Sequence, residues 1–208
     1  MDWDDLDDLY DYDDADDDDW SWDDWSDDED DDDDDDDDDT PLTTYVTNDG
    51  VTVTVVGEGN HQVWLSSGAY GAAQNINANP SWGQNVLVGN YAANLIVSGA
   101  GQNNLWGGQD YANDILVGGA GYDTFICGKN EGSDVVTNAA AADTVSLYDV
   151  TLSDIAFTAS DGRGTVALQF KSGNILSVQS SELLSSAFVL ADGSAYRYNH
   201  ATRSWQGA

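Results

Sequence analysis

The chain has 208 residues, 40 of them acidic against five basic residues and two histidines, for a formal net charge of −35. Phosphate recognition needs a basic face, and none exists, so nucleic acid is excluded as a partner. No apolar run approaches the ~20 residues of a membrane-crossing helix, which excludes a membrane span of that kind.

Residues 1–40 hold 26 Asp and one Glu and no Lys, Arg or His. Like charges at that density repel and bury too little to offset ordering entropy, so this stretch is expected to be disordered. Trp3, Tyr10, Tyr12, Trp20, Trp22 and Trp25 interleave the acids before the uninterrupted run Asp30 to Asp39. Two readings stand side by side: a solvated spacer, or a tail that gathers cations or basic partners while its rings supply apolar contact. Met1 directly before Asp2 is the start expected of a piece of a longer protein.

The remaining residues carry only 13 acids and five bases, enough chain for one modest core. Residues 41–56 are Thr/Val-rich around Asn48-Asp49-Gly50, predicting two opening strands and a tight hairpin turn. From 57 to 147 Gly, Ala and Asn mark turns between very short apolar strands. Seven Asn/Asp positions, Asn85, Asn94, Asn103, Asp114, Asp123, Asp134 and Asp143, recur in steps of 9, 9, 11, 9, 11 and 9. Each is followed two positions later by a large apolar residue. Such units cannot bury an apolar face alone, so they must stack.

Beyond Val145 the period lapses. The runs 164–170 and 174–179 around Lys171-Ser172-Gly173 predict a hairpin, 185–190 a further strand, 191–193 a turn and 181–184 a helical turn. Residues 148–208 are therefore read as a β-rich cap on the open end of the stack. Cys127, the sole cysteine, sits among Phe125, Ile126 and Gly128 and reads as a packed thiol. His61 and His200 lack a second ligand at zinc-like spacing.

Gly118-Gly119-Ala120-Gly121-Tyr122-Asp123-Thr124-Phe125-Ile126 fits G-G-x-G-x-D-x-U-x at every specified position, U being a large apolar residue. Gly107 to Val117 fits with two extra residues before the Asp, and 98–106 fits with Asn in place of Asp. The chain thus resembles the repeats-in-toxin (haemolysin-type) calcium-binding β-roll proteins. The resemblance implies an all-β fold: a parallel β-roll or β-solenoid over 57–147, with the C-terminal cap and the acidic N-terminal tail outside it.

In such a roll, the resemblance implies, alternate turns stack in one column and Ca2+ sits between stacked turns, held by Asp carboxylates and by carbonyls exposed at glycines. One column here reads Gln74, Asn94, Asp114, Asp134; the other reads Asn85, Asn103, Asp123, Asp143. The amide half is expected to hold by Asn/Gln ladders without metal, and the carboxylate half to need a cation. The expected ligating positions are Asp114, Asp123, Asp134 and Asp143, with Gly107, Gly118, Gly119 and Gly121 curling the turns. Glu131 adds an oxygen in the first column, and the column of Asp143, whose turn lacks glycine, is the weaker site. An affinity on the order of 10⁻⁴ to 10⁻³ M is expected.

No Gly-x-Ser-x-Gly elbow, His-Glu-x-x-His helix, P-loop or Rossmann glycine fingerprint is present. The acids at repeat positions already have a structural explanation, so they are not read as a glycoside-cleaving pair. Tyr70, Trp82, Tyr91, Trp106 and Tyr111 near the turns fit a packing or rim role, or line a sugar-binding face. The expectation is a non-catalytic, secreted or cell-surface calcium-binding module with a structural or adhesive role, whose partners are calcium and a surface, glycan or upstream domain. Two alternatives are the folding and secretion module of an extracellular enzyme and a glycan-binding β-solenoid.

Overall fold

The computed structural model describes residues 44–46 and 50–208, except 68, 69, 71, 181, 183 and 184. The expected disorder of 1–40, the Asn48-Asp49 part of the first turn and most of the 181–184 helical turn lie outside those residues. The body, Thr40–Ala208, is one compact unit.

The described body is nearly all β. Its strands are β1 (Thr44–Val46), β2 (Thr52–Val55), β3 (Gln62–Trp64), β4 (Asn75–Asn77), β5 (Val86–Val88), β6 (Leu95–Val97), β7 (Asn104–Trp106), β8 (Ile115–Val117) and β9 (Thr124–Cys127). They continue as β10 (Val135–Thr137), β11 (Thr144–Leu147), β12 (Ile155–Ser160), β13 (Thr165–Phe170), β14 (Ile175–Gln179), β15 (Ala187–Leu190), β16 (Ala195–Asn199) and β17 (Ser204–Gly207). From β2 to β11 successive strands alternate between two sheets, so the chain winds there as a parallel β-solenoid. One sheet runs β1-β2-β4-β6-β8-β10-β14-β13-β12 and the other β17-β16-β15-β11-β9-β7-β5-β3.

The apolar residue after each Asn/Asp is the core of this arrangement. In the first sheet Val53, Ile76, Ile96, Leu116, Val136 and Val178 pair rung to rung. In the second, Val63, Leu87, Leu105, Phe125, Val145 and Phe188 do the same. All twelve are buried in one hydrophobic cluster. Three-residue strands suffice because only the central side chain of each must point inward, as the period-2 alternation of a strand dictates.

The opening strands β1 and β2 pair antiparallel, as the sequence predicts, with Gly50 at φ +67° in the turn between them. The 165–179 hairpin forms too. The parallel ladders, however, continue past 147: Val135 pairs with Ser177 and Val145 with Phe188, both parallel. The C-terminal region therefore supplies one more coil, β14 with β15, into which β12 and β13 are inserted. Antiparallel β13-β12 and β16-β17 then close the two sheets at that end. Their cross-strand pairing occupies edges that parallel rungs would leave open. Cys127 is buried, and burial pushes its thiol well up, which suits packing rather than reaction.

Candidate functional site: a carboxylate column in the solenoid turns

Each Asn or Asp of the repeat stands directly before a strand, at the corner where the chain enters a sheet. There, at every position except Asn94, its Oδ1 accepts the backbone N–H of its counterpart one coil earlier. In the second sheet's column the N–H of His61 donates to Asn85 (3.2 Å), Asn85 to Asn103 (3.2 Å), Asn103 to Asp123 (3.0 Å) and Asp123 to Asp143 (2.9 Å). In the first sheet's column Asn94 donates to Asp114 (2.8 Å) and Asp114 to Asp134 (2.9 Å). The side chains thus complete the ladder at the corner, where the strand's own pairing has ended.

The expected amide ladder is present in part. Asn85 Nδ2 donates to Asn103 Oδ1 (2.8 Å), and Asn103 Nδ2 to Asp123 Oδ1 (3.0 Å). Gln74 does not join through its side chain, which is exposed; its carbonyl accepts from Asn94 Nδ2 (2.5 Å).

The two carboxylate columns differ. Asp123 and Asp143 are both buried, yet every oxygen has a donor. Asp123 Oδ2 accepts from Gly119 N (2.7 Å) and Ser98 Oγ (3.0 Å), and Asp143 Oδ2 from Ala140 N (2.7 Å). Backbone and hydroxyl donors thus reach each carboxylate oxygen of this column. Gly118, Gly119 and Gly121 serve stacking: a Cβ on any of them would run into the carbonyl of Asn138, Gly99 or Gly101 respectively. Burial still raises the Asp143 carboxyl above its ordinary value, against its backbone bonds.

The other column is short of donors. One coil earlier, Asn90 N donates to Asn94 Oδ1 (2.7 Å) and Asn94 Nδ2 to Asn90 Oδ1 (3.1 Å), closing the turn. Asp110 and Asp114 occupy the same two positions in the next coil, and two carboxylates cannot make the amide bond. Asp110 Oδ1 accepts from Ala112 N (2.5 Å), but Asp110 Oδ2 and Asp114 Oδ2 are buried without a partner. Asp114 is 1% exposed and Asp110 9%. Both orphaned oxygens lie against the Gly107-Gly108 turn: a Cβ on Gly107 would collide with Asp114 Oδ2, and one on Gly108 would stand 3.0 Å from Asp110 Oδ2.

Two further acids adjoin them. Asp134 is buried, and Glu131 turns inward, its Oε1 accepting from Tyr148 OH (2.6 Å) and Trp106 Nε1 (3.1 Å). Burial is the largest cause raising the Asp114 carboxyl to about 6; the Asn94 N–H opposes it, and the charges of Asp110 and Glu131 add to it. Asp134 rises to about 7, again by burial first, with Asp114, Glu131 and Asp110 adding their charges. Glu131 is raised by burial and held back by its Tyr148 and Trp106 bonds.

Of the residues expected to ligate, the structure therefore brings Asp114, Asp134 and Gly107 together and leaves Asp123 and Asp143 in a saturated ladder. Sequence reasoning does not single out Asp110, which lies in the turn with two extra residues before Asp114. Its four-residue spacing to Asp114, matching Asn90 to Asn94, was the available signal. Among the described residues no group of three or more His, Cys, Asp or Glu side chains is arranged to hold a metal ion. A hard cation also takes carbonyls and waters, so a two-carboxylate site is chemically sufficient. Among the described residues no helix is long and apolar enough to cross a membrane. Comparisons with protein families, with curated proteins and with solved structures find no match for this chain.

Proposed function

We propose that the chain is a non-catalytic calcium-binding β-solenoid module of the repeats-in-toxin kind, working outside the cell or at its surface as a structural or adhesive element. The observation that carries this reading is the pair of buried, partnerless oxygens, Asp110 Oδ2 and Asp114 Oδ2, inside a group of four acids. A buried charge without a partner is costly, and a divalent cation removes that cost for several carboxylates at once. Asp110 and Asp114 would hold the ion, Asp134 and Glu131 would balance its charge, and carbonyls of the glycine turn would complete a hard oxygen shell. Calcium there supplies positive charge and coordination. The non-catalytic part of the reading rests on the ladder roles of the other repeat acids.

Calorimetric titration of calcium into the full chain tests it, with Asp114→Asn as the comparison. Both proteins carry the same acidic N-terminal stretch, so its loose calcium uptake cancels in the difference. A saturable phase in the millimolar range or tighter, absent from Asp114→Asn, is expected. Superimposable titrations of the two proteins would refute the site.

A further inference from the structure

A second site lies across the coils of β3, β5, β7 and β9, at the corner where the chain enters the second sheet. It is a shallow trough of about 340 Å³. One bank is the residue before each Asn/Asp of that column: Asn60, Gln84, Gln102 and Tyr122. The other is the first outward position of each strand, Gln62, Val86, Asn104 and Thr124, which pair rung to rung. Buried Asn85 and Asn103 form the floor and are committed to the ladder.

Asn60 Oδ1 accepts the Gln84 N–H (2.8 Å), but the other amides of the banks are not committed. Gln62, Gln84, Gln102 and Asn104 are exposed, and their side-chain amides make no hydrogen bond within the described protein, so each presents a free donor pair and a free acceptor. None of the lining residues is an acid or a permanent cation. The Tyr122 ring is 64% exposed at one end of the row. Strand spacing of ~4.8 Å makes the four rungs a track roughly 14 Å long, the span of a few pyranose rings.

We infer that this trough binds a neutral, linear oligosaccharide. Sugar hydroxyls both donate and accept, and planar amides answer both needs in pairs, while an exposed ring offers the flat apolar surface on which a pyranose face stacks. No cationic side chain lines the trough to hold an anionic chain, and a free cation is drawn to the carboxylates instead, which leaves a neutral polyol as the matching class. The site is separate from the carboxylate column and does not depend on calcium there.

Screening the full chain against an array of neutral linear tetra- to hexasaccharides, with calorimetry on the best binder, tests the inference. Saturable binding is expected for the wild type, weakened about tenfold or more by Tyr122→Ala and by the double variant Gln102→Ala/Asn104→Ala. All these side chains are exposed, so unchanged melting curves confirm that the variants fold. Asp114→Asn should bind the sugar as the wild type does, which separates this result from failure of the calcium reading. No binding to any neutral glycan on the array, or equal binding by the trough variants, would overturn it.

Discussion

Asp114 carries an unusual strain because the fold places it in a slot built for an amide. Asn94, one coil earlier, uses Oδ1 for the Asn90 N–H and Nδ2 for Asn90 Oδ1 and the Gln74 carbonyl. A carboxylate in the same slot keeps the acceptor and loses the donor, and Asp110 makes the loss mutual. By the pattern one coil earlier, where Asn94 Nδ2 donates to Asn90 Oδ1, Asp114→Asn restores a donor toward Asp110 Oδ1 and removes the orphaned Oδ2 at position 114. Without calcium, at pH 8, it should raise unfolding stability by about 1–3 kcal/mol, since it satisfies buried polar atoms. Chemical denaturation in chelator checks this; a destabilised variant would show that the orphaned oxygens cost nothing. This residue-scale logic was only half legible. The Asn-to-Asp change along each column is visible in the sequence, but which carboxylates lack donors depends on turn geometry: Gly119 and Ala140 aim N–H groups at Asp123 and Asp143, and no counterpart reaches Asp114.

At the scale of the element, the corner ladder explains how three-residue strands hold register. Each rung contributes few backbone bonds of its own, and the Asn/Asp side chain adds another at the point where the ladder would fray. Asp123 accepts four bonds, from the N–H and Nδ2 of Asn103, the Gly119 N–H and Ser98 Oγ. Asp123→Ala strands several buried donors and should cost about 3 kcal/mol or more. The opposite signs expected at Asp114 and Asp123, two carboxylates at equivalent repeat positions, distinguish the columns; equal losses at both would contradict the account. The inward rows from Val53 to Val136 and from Val63 to Val145 follow from the repeat itself, because each unit marks its own core residue. The final coil could not be read this way. Pairing Val135 with Ser177 and Val145 with Phe188 bridges the inserted β12-β13 hairpin, and choosing a parallel partner across an insertion is a non-local matter that local patterning does not encode.

At the scale of the whole molecule, the acid group makes stability depend on pH and cation together. Asp114 and Asp134 have folded-state values of about 6 and about 7, above the ordinary 3.8. The folded state therefore holds protons that the unfolded state releases, and stability falls as pH rises from about 4 to about 7. Half-buried Asp154 and exposed Asp161 and Asp192 are lowered by their hydrogen bonds and act below that window. His200, lowered by burial, acts in the opposite sense near neutrality and is unchanged in Asp114→Asn. Calcium should replace the lost protons, stabilising by RT ln(1 + [L]/Kd), about 2.7 kcal/mol at a hundredfold excess over Kd. The most direct test of this account is thermal melting of the full chain and of Asp114→Asn at pH 5 and pH 8, each in EDTA and in excess calcium. The wild type should melt lower at pH 8 than at pH 5 in EDTA and regain several degrees with calcium chiefly at pH 8, while Asp114→Asn should show little response to calcium and a smaller pH response, since the buried Asp134, Glu131 and Asp143 remain. Wild-type and Asp114→Asn responses to pH and calcium that coincide would contradict it.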